Sequence, residues 1–212
     1  MGIPTLVEAE RLLAEAERLN PGPWVVHSVN VARAGQLIAA RHPTLDAERA
    51  YILGLLHDIG RRAGKTGMRH VIDGYVYLNA LGFAAAARIC LTHSFPYQHP
   101  RVVFGEWDCT EAEFQMMSDA LLSLTYDDYG RLFQLCDALA LPEGFCLIEK
   151  RLVDVFLRYG QQGVDAGVHT KWQQVFQIQR HFEQVINCSI YQVLPGVVET
   201  TFGPAFSSKA GG

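Results

Sequence analysis

The chain has 212 residues and a formal net charge of −4; 49% of its residues are hydrophobic and 19% are charged. These values are typical of a globular domain with a sizeable core, and the acidic balance argues against a surface built to bind a nucleic-acid polymer. The five cysteines are odd in number and form no Cys-x-x-Cys pair, which argues against a disulfide framework or a zinc ribbon and favours a reducing compartment.

The sequence predicts helices along most of the chain. Apolar residues recur at helical spacing, and Thr5 and Thr110 each precede a glutamate by three residues, as in the capping boxes that begin helices. The predicted helices, in chain order, cover residues 6–19, 23–41, 46–60, 69–81, 83–92, 110–124, 127–139, 142–159 and 170–189. Residues 207–212 are typical of a frayed tail. Because the chain has no alternating strand pattern and no internal repeat, the expected fold class is all-α, a single-domain helical bundle.

Several histidines and aspartates fall in apolar helical segments, where solvated side chains are not expected. His57 and Asp58 follow the apolar run Ile52–Leu56, and two titratable groups at the end of a buried helix are costly unless they are paired or ligated. An isolated His-Asp pair more often caps a helix and bonds to the backbone. His27 lies among valines and Asp137 lies in another apolar helix, so one shared divalent metal is the more economical explanation.

The order of these residues resembles the signature of the HD-domain superfamily of metal-dependent phosphohydrolases. The segment Leu55–Arg61 is similar to the central motif in its HDIG form, Trp24–Ser28 to the first-histidine segment, and Leu135–Leu139 to the final-aspartate segment. The resemblance covers residues 20–150 and implies a metal-binding core there, with residues 151–212 as a helical extension and tail. The residues that it implies hold one metal are His27, His57, Asp58 and Asp137.

Two further histidines extend the implied ligand set. Arg69–Gly74 resembles the His-x-x-x-Gly segment of superfamily members with two metals, and His93 ends a helix where those members place another ligand. The resemblance thus implies that His70 and His93 hold a second ion and that Asp58 bridges both. Alternatively, His70 contacts phosphate or solvent from a loop, and His93 is a helix C-terminal histidine favoured by the helix dipole. Members with a single metal exist, so the choice between one and two ions stays open.

The expected cofactor is a divalent metal bound by nitrogen and oxygen atoms. Such a ligand set without a thiolate suits Mn, Fe, Co, Ni or Zn, and suits Ca poorly. Because zinc usually takes four ligands, Mn or Fe is favoured over Co, Ni and Zn. An ion of this kind lowers the pKa of bound water to roughly 7, which provides the hydroxide for attack on phosphorus.

Basic residues crowd the segment that follows the His-Asp pair. The candidate substrate-binding residues there are Arg61, Arg62, Lys65 and Arg69. Arginine suits bidentate contacts to phosphate, so Arg61 and Arg62, close behind Asp58, are also assigned catalytic roles together with Asp58. The alternative is a solvated basic loop.

Two further predictions concern the surroundings of the site. Asp73 is a candidate acceptor that orients a ligand histidine. The aromatic segment from Phe95 to Trp107 either forms a wall for a base or sugar, or is a connector whose rings pack on the core.

The resulting prediction is a metal-dependent phosphohydrolase that hydrolyses a small phosphate ester with a metal-activated water. The resemblance alone implies that the ester is a nucleotide or a related compound. Two other classes are left open. One is a di-iron oxygenase, since a minority of the superfamily uses the same ligands for oxygen chemistry. The other is a non-catalytic nucleotide-binding regulatory module, against which the complete ligand set argues.

The expected partner is a small phosphorylated substrate, and neither a membrane nor a nucleic-acid polymer is expected. Acidic residues come before any apolar run at the N-terminus, and no apolar stretch reaches the ~20 residues of a membrane span, which predicts a cytoplasmic protein. The long apolar helices over residues 147–159 and 172–186 either pack on the domain or form the face of a homodimer.

Overall fold

The computed structural model describes residues 2–160 and 166–203, and helices account for most of them. In chain order these are α1 (Leu6–Leu19), α2 (Pro23–Ala39), α3 (Ala47–Leu56), the 3-10 helix η1 (Ile59–Ala63), α4 (Arg69–Ala80), α5 (Ala84–Thr92), α6 (Glu111–Ser123), α7 (Asp128–Asp137), α8 (Ile148–Tyr159), α9 (Ala166–Ile186), α10 (Ile190–Val193) and α11 (Val197–Phe202). The all-α prediction is confirmed. The predicted tail at residues 207–212 lies outside the described residues.

The helix predicted over residues 46–60 ends earlier than expected. α3 stops at Leu56, and the chain then tightens into η1, which spans the end of the predicted helix and the start of the segment that follows it. The tight turn lets Gly60 approach α4 at backbone level, because a Cβ at Gly60 would lie 1.9 Å from the backbone oxygen of His70. His57 and Asp58 therefore lie in the connection between two helices.

The helix predicted over residues 142–159 is wrong in its first turns. Ala140–Leu141 and Gly144–Phe145 pair as two antiparallel strands, β1 and β2, and α8 begins only at Ile148. Gly144 has a φ of 143°, which a right-handed helix does not allow, so the chain turns back here as a hairpin.

The helix predicted over residues 170–189 is displaced towards the N-terminus. α9 begins at Ala166 and ends at Ile186. The early end has a local cause, because Asn187 adopts a φ of 53°, the left-handed conformation that closes many helices.

α2 and α3 pack so closely that their backbones touch. A Cβ at Gly54 would lie 2.4 Å from the Cα of Ala32, so only glycine allows this approach. The close packing places His27 of α2 beside His57, with their ring centroids 5.4 Å apart.

The main core lies between the N-terminal helices and α7, and α9 packs against it. Its fully buried side chains include Leu53 and Phe133, and α9 contributes Val175, Ile178 and Phe182. Of the two alternatives for the C-terminal helices, packing on the domain thus holds for α9. Within the part of the chain that the structure describes, no helix has the length and apolar character needed to cross a membrane.

Candidate metal centre

Six side chains that the sequence singled out meet at one place, although they come from separate elements. They are His27 of α2, His57 and Asp58 after α3, His70 of α4, His93 at the end of α5 and Asp137 at the end of α7. The first five are buried, with at most 6% of each residue exposed. The Asp137 side chain is 28% exposed and lies at the edge of the group.

The packing of η1 against α4 brings Asp58 to His70. Gly60 and Gly74 face each other, and a Cβ at Gly60 would lie 2.5 Å from the nitrogen of Gly74. Any side chain at Gly60 would push the two elements apart. Gly60 of the HDIG-like segment and Gly74 of the His-x-x-x-Gly segment thus form one close contact. This contact places Asp58 Oδ1 3.3 Å from His70 Nε2.

Three of the histidines are oriented by backbone carbonyls three residues earlier in the chain. The Nδ1 atom of His57 donates to the oxygen of Gly54 at 2.8 Å, and that of His70 donates to the oxygen of Gly67 at 2.6 Å. His93 Nδ1 lies 2.9 Å from the oxygen of Cys90. Since a carbonyl only accepts, Nδ1 carries the hydrogen in each ring, and Nε2 of a neutral ring keeps a free lone pair.

Burial keeps the rings of His70 and His93 neutral, since it lowers the pKa of His70 to about 3 and that of His93 to about 4. The Nε2 lone pairs of these two rings are therefore available at pH 7 without the loss of a proton, as a metal ligand requires. Burial also lowers the pKa of His27, whose Nε2 lies 2.9 Å from Asp137 Oδ1.

Asp58 lies at the centre of the group and is ionised. Burial by itself raises the pKa of Asp58, but the Arg61 guanidinium, the strongest of several opposing influences, holds it well below its usual range. Arg61 Nε donates to Oδ2 at 2.6 Å. Oδ1 lies 3.3 Å from His70 Nε2 and 3.6 Å from His93 Nε2.

The buried polar atoms of this group fit a divalent metal. His57 Nε2 and Asp58 Oδ1 are buried without a hydrogen-bond partner among the described residues, a costly arrangement unless an ion satisfies both. Two sets have ligand atoms within 4.8 Å of one another: His27, His57 and Asp58, and Asp58, His70 and His93. Two atoms that bind one octahedral ion at about 2.1 Å lie about 3 Å apart, close to the contacts of Asp58 Oδ1. Asp58 belongs to both sets, as a carboxylate that bridges two ions would.

Asp137 lies outside these two sets and contacts His27. Its Oδ1 is 2.9 Å from His27 Nε2 and 3.3 Å from a guanidinium nitrogen of Arg151. Arg151 Nε also donates to the backbone oxygen of Asp137 at 3.1 Å. The sequence prediction missed Arg151, because a single arginine on an amphipathic helix has no distinguishing pattern.

A cavity of about 450 Å³ opens at these ligands. Of the four basic residues predicted to bind substrate, Arg61 and Lys65 line it. The structure places the other two elsewhere: Arg62 pairs with Glu15, and Arg69 makes two hydrogen bonds to Glu113.

Asp73 does not take the orienting role proposed for it. It pairs with Arg69 at 3.3 Å, and His70 is oriented by the Gly67 carbonyl instead.

The rings of the aromatic segment divide between the core and the cavity. Phe95 is buried and stacks on Trp107 with ring centroids 6.2 Å apart, and Trp107 contacts Phe114, so these rings pack in the core. Phe104, in contrast, lines the cavity and contacts Trp172 of α9. Trp172 lies in the C-terminal extension, where no sequence pattern indicated a site.

The family model described as HD domain matches residues 24–141. The match covers more than half of the chain and includes all six candidate ligands, so the chain belongs to the HD-domain family. HD domains are in general metal-dependent hydrolases with an all-α fold, and this chain has buried groups that could hold such a metal. Comparisons with curated proteins and with solved structures find no match. α8 and α9, which complete the cavity, lie beyond the matched region.

Proposed function

We propose that the chain is a metal-dependent phosphohydrolase that acts on a small phosphate ester, a nucleotide or a related compound. The observation that carries this proposal is the position of Asp58. Its carboxylate is shared by two buried ligand sets and is held by Arg61, at a cavity that is lined by several cationic side chains. Phosphate is the substrate group that such a combination of metal ligands and guanidinium suits best.

One or two divalent ions, with Mn or Fe preferred, would be held by His27, His57, Asp58, His70, His93 and Asp137. Such an ion activates a water for attack on phosphorus and offsets the charge that develops on the phosphoryl group. The buried thiol of Cys90 does not compete as a ligand, because burial raises the pKa of Cys90 and its Sγ donates to the oxygen of Leu56. The nitrogen and oxygen set is the reason for preferring Mn or Fe.

The chain's own groups position the substrate. Arg61 lines the cavity while its Nε holds Asp58, so the rest of its guanidinium is available to phosphoryl oxygens. The volume, about 450 Å³, exceeds what a phosphate group alone needs and lies in the range of sites for small organic ligands. Trp24, Phe104 and Trp172 line the cavity and provide faces for a planar group, which supports a nucleotide or a related ester.

The test measures both metal content and hydrolysis of phosphate esters. The purified chain is loaded with Mn, Fe or Co, its metal content is measured, and it is assayed with p-nitrophenyl phosphate and a panel of nucleotides. We expect Asp58→Ala to lose both bound metal and hydrolysis. Asp119→Ala, a substitution on the exposed face of α6, is the matched control and should retain both.

Two outcomes would contradict the proposal separately. Equal metal content in Asp58→Ala and in the unmodified chain would refute the site. A metal-loaded chain that hydrolyses no phosphate ester would refute the phosphohydrolase and leave the site standing, and oxygen uptake by an iron-loaded chain would favour an oxygenase instead.

A further inference from the structure

The cavity wall has a part that the HD-domain region does not supply. Residues of α8 and α9 line the cavity beside the ligands, and both helices lie after the family match ends at residue 141. Three of these residues are cationic: Arg151, Arg158 and Lys171. The cavity therefore carries more positive charge than the reacting phosphate, already served by Arg61 and the metal, requires.

Lys171 differs from the other cations of the wall because it has no counter-ion. Arg151 pairs with Asp137 and Arg158 pairs with Asp154. Lys171 is partly buried and has no carboxylate within 4.0 Å among residues 2–160 and 166–203. Its ammonium group makes a long hydrogen bond, 3.4 Å, to the backbone oxygen of Val102 and lies 5.9 Å from the centroid of the Phe104 ring.

An ammonium group in this position favours an anionic ligand. Taking a charge out of water without a partner is costly, and binding an anion would recover part of that cost. Burial lowers the pKa of Lys171 to about 8, so the group is still mainly protonated at neutral pH. Lys65, the other lysine of the cavity, is exposed, and water already solvates its charge.

The next residue adds a second unsatisfied donor. Trp172 also lines the cavity, and its Nε1 is buried without a hydrogen-bond partner among the described residues. Its ring is held by two other rings, with centroid distances of 6.5 Å to Phe104 and 6.4 Å to Phe156. Phe104 and Phe156 contact each other at 6.0 Å, so three aromatic rings fix this part of α9 against α8 and the segment before α6.

Resting on the phosphohydrolase function, we propose that Lys171 and Trp172 bind a second anionic group of the substrate, distinct from the phosphate ester that reacts. The substrate class is accordingly phosphate esters that carry a further phosphate or carboxylate. The two anionic groups take different partners. The reacting phosphate would be bound by Arg61 beside the metal that Asp58 would hold. The second group is bound at the α9 wall, whose contacts are to Val102, Phe104 and Phe156.

The test uses phosphonates, which are not hydrolysed, so that binding is measured whether or not the chain is a phosphohydrolase. ω-Carboxyalkylphosphonates of increasing chain length are compared by calorimetry with alkylphosphonates of the same length, on the metal-loaded full chain. We expect the carboxylate to improve the affinity about tenfold at the chain length that spans the two groups. Lys171→Met should lose this improvement and bind the alkylphosphonates as before.

Two variants and one stability measurement complete the experiment. Lys150→Met on α8, outside the cavity lining, is the matched control and should keep the full preference for the carboxylate. Trp172→Phe keeps an aromatic ring but removes the Nε1 donor, and it should lose part of the preference for the carboxylate. Because Lys171→Met removes an unpaired, partly buried charge, its thermal midpoint should be equal to or above that of the unmodified chain.

The proposal is overturned if no chain length shows a preference for the carboxylate, or if Lys171→Met retains it. Equal weakening of both phosphonate series in Lys171→Met would also overturn it, since Lys171 would then serve the reacting phosphate. A chain that prefers the carboxylate but hydrolyses no ester would contradict the proposed function alone.

Discussion

The two oxygens of the Asp58 carboxylate have different partners, and this asymmetry organises the site. Oδ2 accepts from Arg61 Nε, while Oδ1 faces the Nε2 atoms of His70 and His93. Arg61 thereby fixes the rotation of the carboxylate and leaves Oδ1 for a metal. A ligand held by a hydrogen bond from outside the ligand set is typical of metal sites.

His27, His57, Asp58 and Asp137 could be predicted from the sequence because each lies in or beside an apolar segment where a charged or polar group is unexpected. His70 and His93 were implied only by the resemblance to the HD-domain superfamily. Their orientation could not be predicted. It depends on carbonyl oxygens three residues before His57, His70 and His93, at places where helices begin or end. The exact helix ends, such as that of α3 at Leu56, were the least predictable feature of the sequence.

The charge on Lys171 predicts a pH dependence for the proposed substrates. Burial lowers the pKa of Lys171 to about 8, and the charge of Asp137 raises it only in part. Below this pH the ammonium is charged and binds an anion, and above it the charge is lost. We therefore expect kcat/KM for a doubly anionic ester to fall as the pH rises through about 8 and to level off about tenfold lower once the charge is lost.

Lys171→Arg provides the control for this pH dependence, because a guanidinium stays charged throughout the accessible range. The measurement is the ratio of kcat/KM between the unmodified chain and Lys171→Arg from pH 6 to 10, which cancels the titration of groups common to both. A ratio that stays constant across this range would contradict the assignment.

At the scale of elements, the contact between η1 and α4 determines whether Asp58 reaches His70. The sequence predicted an end to the preceding helix at Gly60, because glycine commonly follows helices. The structure shows a different reason why glycine is needed at this position. A Cβ there would lie 1.9 Å from the oxygen of His70, a tertiary contact that no local pattern contains. The presence of a helix end here was therefore predictable, but the close approach of η1 to α4 was not.

Gly60→Ala should accordingly destabilise the fold and disturb the site together. Backbone atoms of α4 cannot yield to the new methyl group as a flexible side chain would, so η1 and α4 must separate. We expect a loss of about 1–3 kcal/mol in the free energy of unfolding, measured by urea denaturation, and lower metal content because Asp58 moves away from His70.

The matched control is Gly130→Ala in α7. There the nearest atom, Asp127 Oδ1, lies 3.4 Å from the added Cβ, an ordinary contact. Alanine also suits a helix better than glycine, by about 0.5–1 kcal/mol, so this variant should be as stable as the unmodified chain or slightly more stable. A Gly60→Ala chain with unchanged stability and metal content would show that the packing of η1 on α4 is not needed.

At the scale of the whole molecule, the cavity is built from two regions of the chain with different predictability. The family region carries motifs, so its candidate ligands could be found from apolar context and from the resemblance to the HD-domain superfamily. The other part of the wall comes from Arg151 on α8 and from the neighbours Lys171 and Trp172 on α9, which share no motif. Lys171 and Trp172 reach the cavity because α9 buries Val175 and Phe182 against the main core, and tertiary packing of this kind cannot be read from helical periodicity.

The same architecture predicts that the metal stabilises the entire fold. The candidate ligands come from α2, the turn after α3, α4, α5 and the end of α7, so an ion bound to them holds five parts of the chain together. An ion that binds only the folded state adds about 2.7 kcal/mol at a concentration 100 times its Kd, which for a domain of this size raises the thermal midpoint by roughly 5–10 °C. We expect this rise on addition of Mn and its reversal by a chelator, measured by calorimetry. Asp58→Ala should show no response to Mn because Asp58 belongs to both candidate ligand sets, whereas His169→Ala, at an exposed position of α9, should respond fully. Identical midpoints with Mn and with the chelator in the unmodified chain would show that the buried side chains do not bind Mn. A response that Asp58→Ala abolishes would instead show that an ion bound at the proposed catalytic site also holds these helices together.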